Sequence, residues 1–236
     1  SFDAFNPEFE RVVEIYNAWG SSENLAKEGN PRPIELLKKK TSAESSEGSI
    51  QKALANNCRF GFVAGGFDDR GIYEDCFENN VQYSAGLTGI YSKEQNRTSL
   101  FESLYNRACF ATTGPEIIVD FNIAESTMGT ELNTTSKPGL KLNRHISGFV
   151  IGTDAIDKVE LIRNGEVIKI FSPEKATPAQ VNFTYDDFVD LSKVCLKGKK
   201  GASPFVYYYI RATQKNGHLA WSSPIWVDLD PAKEVK

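Results

Sequence analysis

Two Asn-Gly pairs, Asn164-Gly165 and Asn216-Gly217, each stand between apolar runs, and no other feature limits the fold of this chain so sharply. A two-residue type I′ turn needs positive φ at both positions, which asparagine and glycine adopt readily, and its twist matches that of paired strands. Val159–Phe171 therefore reads as one hairpin. Phe205–Gln214 and His218–Leu229 read as a second, with longer, aromatic-rich strands. Upstream, Ile117, Val119, Phe121 and Ile123 alternate with Ile118, Asp120 and Asn122, which is strand periodicity. Asp186–Val194 has room for one or two helical turns. Residues 116–236 are expected to form an antiparallel β-sandwich domain.

Residues 1–115 have a different texture, with a boundary at Gly114-Pro115. Val12–Tyr16 reads as a strand followed by the polar turn Asn17–Glu23, and Arg32–Lys40 has helical content before an exposed Thr41–Gly48 loop. Ile50–Asn57 reads as a short helix burying Ile50, Ala53 and Leu54, and Arg59–Ala64 as a buried strand ending at Gly65-Gly66. Gly86–Tyr91 is a further strand. Ser99 and Glu102 suggest a capping box for a helix whose buried stripe is Leu100, Phe101, Leu104, Tyr105 and Ala108. Strand, turn, helix, strand is the rhythm of α/β architecture.

Composition narrows the function. With 27 basic and 31 acidic residues, a net charge of −4 and a pI near 5.4, the chain lacks the basic character of a general nucleic-acid binder. Its apolar runs fall far short of the roughly 20 residues of a spanning helix, and no leader-like segment opens the chain, so neither a membrane span nor a signal peptide is expected. Cys58, Cys76, Cys109 and Cys195 form no CxxC, and the two histidines, His145 and His218, lie in no metal-ligand motif. His145 reads as a surface residue and His218 as part of a hairpin.

Reactive groups of α/β folds gather at the carboxyl ends of strands. Two segments qualify here: Asn17–Glu23 with the nearby Asn30-Pro31-Arg32-Pro33, and Gly65–Gly71. In the second, Asp68 and Asp69 can ligate a divalent cation and Arg70 can hold an anion, although Asp in a glycine loop is also ordinary turn chemistry. Glu14 reads as a ligand or an inward polar residue sharing a strand face with Tyr16. Glu23 reads as a carboxylate behind the site or a helix N-terminal residue. Asn17, Asn30 and Arg32 read as rim or turn residues.

The run Val13-Glu14-Ile15-Tyr16-Asn17-Ala18-Trp19-Gly20-Ser21-Ser22-Glu23, then Gly29–Pro33, Phe60–Gly66, Gly86–Tyr91, Ala108–Gly114 and Gly217–Asp228 resembles a large bacterial family of uncharacterised proteins. That family is related to the PHP (polymerase and histidinol phosphatase) metallohydrolases. The resemblance implies a distorted (β/α) barrel whose strand ends hold divalent metals, manganese, iron or zinc, that activate water against an ester or phosphoester. It makes residues 1–115 the C-terminal part of such a barrel. It also makes the chain the C-terminal portion of a longer protein, because the family's opening His-x-His strand is absent here. In the family's late Asp-x-His motif, Asp68 (or Asp69, one residue along) matches the ligand carboxylate, while Arg70 replaces the histidine. A guanidinium does not ligate a cation, so the resemblance implies a depleted metal centre or an anionic substrate met by Arg70.

Three functional readings result. The chain is the C-terminal portion of a metal-dependent hydrolase acting on an unidentified small molecule, binding no metal and inactive by itself. Or it is a degenerate relative that binds a ligand or partner. Or the β-domain is a carbohydrate- or protein-binding module presenting Trp221 and Trp226. Open sheet edges would favour a homodimer, and the resemblance favours a periplasmic or secreted parent.

Overall fold

The computed structural model describes residues 2–34, 45–66, 83–198 and 202–230. Along the chain lie β1 (Val12–Asn17), β2 (Gly20–Ser21), α1 (Ile50–Ala55), β3 (Gly61–Ala64), β4 (Leu87–Ile90), α2 (Arg97–Tyr105) and β5 (Cys109–Thr112). There follow β6 (Ile118–Ile123), β7 (Ser126–Thr127), β8 (Glu131–Asn133), β9 (Arg144–Ile151), β10 (Ile156–Arg163), β11 (Glu166–Phe171) and β12 (Gln180–Asp187). The chain ends through α3 (Leu191–Val194), β13 (Phe205–Gln214), β14 (Leu219–Ser222) and β15 (Ile225–Asp228).

Strand β13 organises the molecule. Val206, Tyr208, Ile210 and Ala212 face one core, shared with Val119, Phe121, Ile146, Val150 and Phe183 of the four-stranded sheet β12-β9-β6-β7. The alternate residues Phe205, Tyr207 and Tyr209 face a second core, built with Ile15, Leu54, Phe60 and Phe62 from β1, α1 and the start of β3. A strand covered on both faces has no polar side, which explains the unbroken apolar run Phe205–Ile210. The eight-stranded sheet, β11-β10-β13-β14-β5-β4 with β15 and β8 attached, is thus the middle layer. Burying each of its large side chains contributes about 1.5–3 kcal/mol.

Local patterns explain much of this. Asn164 (φ 53°) and Gly165 (φ 86°) make the β10–β11 turn. Ile117, Val119, Phe121 and Ile123 are all buried, as alternation requires. The arm after Asn216-Gly217 forms two strands rather than one, β14 and β15, which pair successive stretches of β13 on either side of Ser223-Pro224. Proline has no N–H for the ladder.

Helix α2 begins earlier than its capping-box pattern suggests: Asn96 Oδ1 accepts from Ser99 N at 2.9 Å. Its expected stripe is only partly covered. Phe101 is 65% exposed and stacks on Tyr105 with ring centroids 6.0 Å apart. Most of the expected Arg32–Lys40 helix and Thr41–Gly48 loop lies outside the described residues.

The (β/α) barrel segment does not form among the described residues, which correct that expectation. Strands β1 and β3 do pair in parallel around α1, but their sheet, β2-β1-β3, stops at three strands. Strands β4 and β5 instead pair with each other, and β5 pairs with β14, all antiparallel. The middle sheet therefore draws strands from both sides of Gly114-Pro115. The physical reason is non-local: all four residues of β5 are buried, and the strand that joins them to the middle sheet, β14, lies over a hundred residues downstream. A pattern read in a short window cannot show that partner.

Hydroxyl groups close the seam between the two sheets. Ser223 Oγ accepts from Phe62 N at 2.9 Å and donates to Cys109 O at 2.6 Å. Thr88 Oγ1 accepts from Ala64 N at 3.0 Å and donates to Ala64 O at 2.8 Å. These bonds satisfy backbone groups that the β3 edge would otherwise leave unpaired.

Candidate functional site

Ligands of open sheets collect outside the carboxyl ends of parallel strands. Here those ends are Asn17 of β1 and Ala64-Gly65-Gly66 after β3. The Glu14 side chain is exposed, and its Oε2 accepts from Asn17 Nδ2 at 2.8 Å. Asn17 Oδ1 in turn accepts from Trp19 N at 2.9 Å, which fixes the amide. The Glu14 carboxylate lies against Gly65, where it occupies the space a Cβ would take. Glu14 and Tyr16 do not share a face as simple alternation predicts. The β1–β3 register slips between them, leaving Ile15 and Tyr16 both buried and Glu14 in solvent.

Behind that rim lies a polar cluster that sequence reasoning missed. Tyr16 Oη donates to Ser84 O at 2.8 Å, Ser84 Oγ to Thr113 O at 2.6 Å, and Thr113 Oγ1 meets His218 Nδ1 at 2.9 Å. Arg32 is buried here. Its Nε and Nη2 donate to Gly217 O at 3.2 and 3.1 Å, its Nη1 lies 3.4 Å from Tyr16 Oη, and its guanidinium sits 5.4 Å from the Tyr83 ring centre. Arg32 therefore clamps the loop after β2 onto the Asn216-Gly217 hairpin. Asn30 shapes that loop, donating to Ser21 O and Asn24 O while accepting from Arg32 N. The Pro-flanked Arg32 was the legible signal; Ser84 and Thr113 carry none, because their partners are remote.

Glu23 stands apart from the rim, fully buried. It accepts from Tyr209 Oη at 2.6 Å, Arg211 Nη1 at 2.9 Å and Trp221 Nε1 at 2.8 Å. Arg211 also donates to Glu160 at 3.0 Å, and Lys158 pairs with Glu160 at 2.8 Å. Burial alone would lower the Arg211 pKa, but Glu23 and Glu160 outweigh it and hold the guanidinium firmly charged. A second buried group joins Arg144 and Arg163 to Asp187 at 3.0 and 2.9 Å.

Asp68, Asp69 and Arg70 lie outside the described residues, as does Cys76. Cys109 is a buried free thiol, and burial pushes its pKa up to about 11, which keeps it protonated at neutral pH. Among the described residues no three His, Cys, Asp or Glu side chains come together, and His218 already serves Thr113. The described donors therefore form no divalent-cation site among themselves. Trp221 and Trp226 are fully buried, so neither offers a ring to a sugar. No helix among the described residues is long and apolar enough to cross a membrane.

Residues 39–143 match a family described as a protein of unknown function (DUF3604). An uncharacterised protein of Chlamydia pneumoniae is 54% identical over 230 residues, 97% of this chain and 36% of the relative. Uncharacterised proteins of Chlamydia trachomatis and Chlamydia muridarum are each 50% identical, covering 98% and 97% of this chain and 36% of their own lengths. An engineered protein of solved structure aligns with 48% of this chain and 20% of its own at 15% identity, with a TM-score of 0.25. The chain thus spans about a third of the length of the curated relatives it matches, at 36%.

Proposed function

We propose that this chain supplies the substrate-facing, non-metal side of an ester- or phosphoester-hydrolysing centre related to the PHP metallohydrolases, completed by other parts of a longer polypeptide. The observation that carries the reading is the exposed Glu14 carboxylate, oriented by Asn17 and seated against Gly65 at the carboxyl ends of parallel strands. An oriented, solvent-facing carboxylate in that place accepts a hydrogen bond from a substrate or takes a proton at Oε1. Arg32, Tyr16 and Ser84 stiffen the rim from behind.

The test uses a full-length protein with this chain placed in the matching region of the Chlamydia pneumoniae relative. It is assayed for hydrolysis of p-nitrophenyl acetate and bis-p-nitrophenyl phosphate, and for bound manganese, iron and zinc, beside the chain alone. Turnover by the full-length protein and none by the chain supports the proposal. Turnover by the chain alone overturns it, and so does silence of both, which favours a relative that binds without catalysing.

A further inference from the structure

The two Asn-Gly pairs that shape the hairpins also carry a reaction of their own. A glycine nitrogen reaches the Cγ of the asparagine before it, because no Cβ stands in the way. Once that nitrogen has lost its proton it attacks. A bond forms between the glycine nitrogen and Cγ, the Cγ–Nδ2 bond breaks, and the amide nitrogen leaves as ammonia. Water then opens the five-membered imide at either carbonyl, giving aspartate or isoaspartate. Nothing is oxidised or reduced, and water is the co-reactant.

The fold treats the two pairs differently. Asn164 is partly buried and pinned at both ends of its amide: Nδ2 donates to Val194 O at 2.7 Å and Oδ1 accepts from Tyr207 N at 3.2 Å. Its own backbone N–H donates to Tyr207 O at 3.1 Å. Asn216 and Gly217 are exposed, and a Cβ on Gly217 would meet nothing nearer than Arg32 Nη2 at 4.0 Å. Asn216 Oδ1 accepts from Gln214 Nε2 and from His218 N, each at 3.2 Å. Two donors on that oxygen make Cγ more electrophilic and stabilise the oxyanion formed during attack. Among the described residues Asn216 Nδ2 has no acceptor, so the leaving nitrogen faces water. One bond opposes the reaction, from Gly217 N to Gln214 O at 2.9 Å. It lies in an exposed turn, where local opening costs little.

The product would not be silent. Gly217 O is the acceptor of both Arg32 bonds, at 3.2 and 3.1 Å, and the adjoining His218 meets Thr113 Oγ1 at 2.9 Å. Isoaspartate carries the main chain through Cβ, adding one carbon just before Gly217 and leaving a free carboxylate beside it. The turn lengthens at the residue that Arg32 holds.

We propose that Asn216 is a site of spontaneous deamidation, and that its conversion to isoaspartate through Gly217 releases the hairpin from the Arg32 clamp, while Asn164 is protected by the fold. The inference does not depend on what Glu14 faces.

The test is ageing of the purified chain in warm, mildly alkaline buffer, followed by peptic digestion in acid, peptide mass mapping and enzymatic methylation of isoaspartate. Asn216 is expected to convert about tenfold or more faster than Asn164, whose amide must first break its hydrogen bonds. In the chain unfolded in urea the two sites should react at similar rates. The Arg32 Nε–H resonance should change in step with isoaspartate content, and hold during ageing of Asn216→Ser, whose hydroxyl still serves the turn. Equal rates in the folded chain overturn the proposal, as does an intact Asn216 under conditions where the unfolded chain reacts. An Arg32 signal indifferent to the modification overturns the release of the clamp.

Discussion

Glu23 and Arg211 meet at 2.9 Å in the interior, 188 residues apart in sequence, and tie the loop after β2 to the central strand of the middle sheet. With Tyr209 and Trp221 donating to the same carboxylate, Glu23 is fully satisfied where an isolated charge would be strongly disfavoured. Removing it leaves Arg211 partly uncompensated. Glu23→Ala is expected to cost about 3–5 kcal/mol in urea unfolding, and Glu23→Gln less, because the amide keeps a hydrogen-bond acceptor for Tyr209 or Trp221. Equal stability of wild type and Glu23→Ala would refute the buried pair.

Ser223 joins two sheets with one hydroxyl. Ser223→Ala strands the Phe62 N–H in a dry seam, and a loss of about 1–3 kcal/mol is expected. Native-state hydrogen exchange should show the Phe62 amide losing more protection than the Val13 and Ile15 amides. Uniform loss across β1 and β3 would argue against the seam.

The β6–β7 turn is strained. Ala124 (φ 48°) and Glu125 (φ 63°) occupy the two central positions, where the chain elsewhere uses Asn164-Gly165. Lys137 Nζ braces this turn from Ala124 O at 2.6 Å. Left-handed backbone costs an ordinary residue about 1–2 kcal/mol, so Ala124→Asn with Glu125→Gly is expected to raise stability by roughly that amount. A lowered melting temperature would contradict the assignment of strain.

Acid should unfold this protein from the carboxylate side. Burial alone would raise the Asp187 pKa, but Tyr208, Arg144 and Arg163 outweigh it and hold it below the ordinary 3.8. Against burial, Arg211 and Lys158 hold Glu160, and Arg107 and Arg59 hold Glu131, below 4.5. A carboxylate whose folded pKa is depressed contributes stability above its unfolded pKa and loses it as pH falls through the folded one. Asp120, raised by burial, works in the opposite sense. Urea midpoints are expected to change little from these groups between about pH 7 and 5 and to fall below about pH 4.5, more steeply in Asp120→Asn. A midpoint that rises on acidification would contradict this balance.

Hairpin turns, the β6 alternation and helix α1 are legible in the sequence because each depends on residues a few positions apart. The allocation of β5, and of β4 beside it, is not, because the β5 partner β14 is distant in sequence and a fully buried four-residue strand has no period to display. The site divides in the same way. Glu14, Asn17 and Arg32 are legible as strand-end and Pro-flanked polar residues, whereas the roles of Tyr16, Ser84 and Thr113 arise from hydrogen bonds across the fold. Glu23 carries a signal as a lone acid after a turn, but nothing nearby announces Tyr209, Arg211 and Trp221 as its partners.

The most direct test is the Glu14→Gln substitution in the full-length chimeric protein, with kcat/KM for ester and phosphoester hydrolysis measured beside the melting temperature. Glu14 is exposed and Asn17 can still bond an amide oxygen, so the melting temperature should hold while kcat/KM falls by about 100-fold or more. Unchanged kcat/KM, or a loss of activity matched by a loss of stability, would contradict the placement of Glu14 at the reacting face.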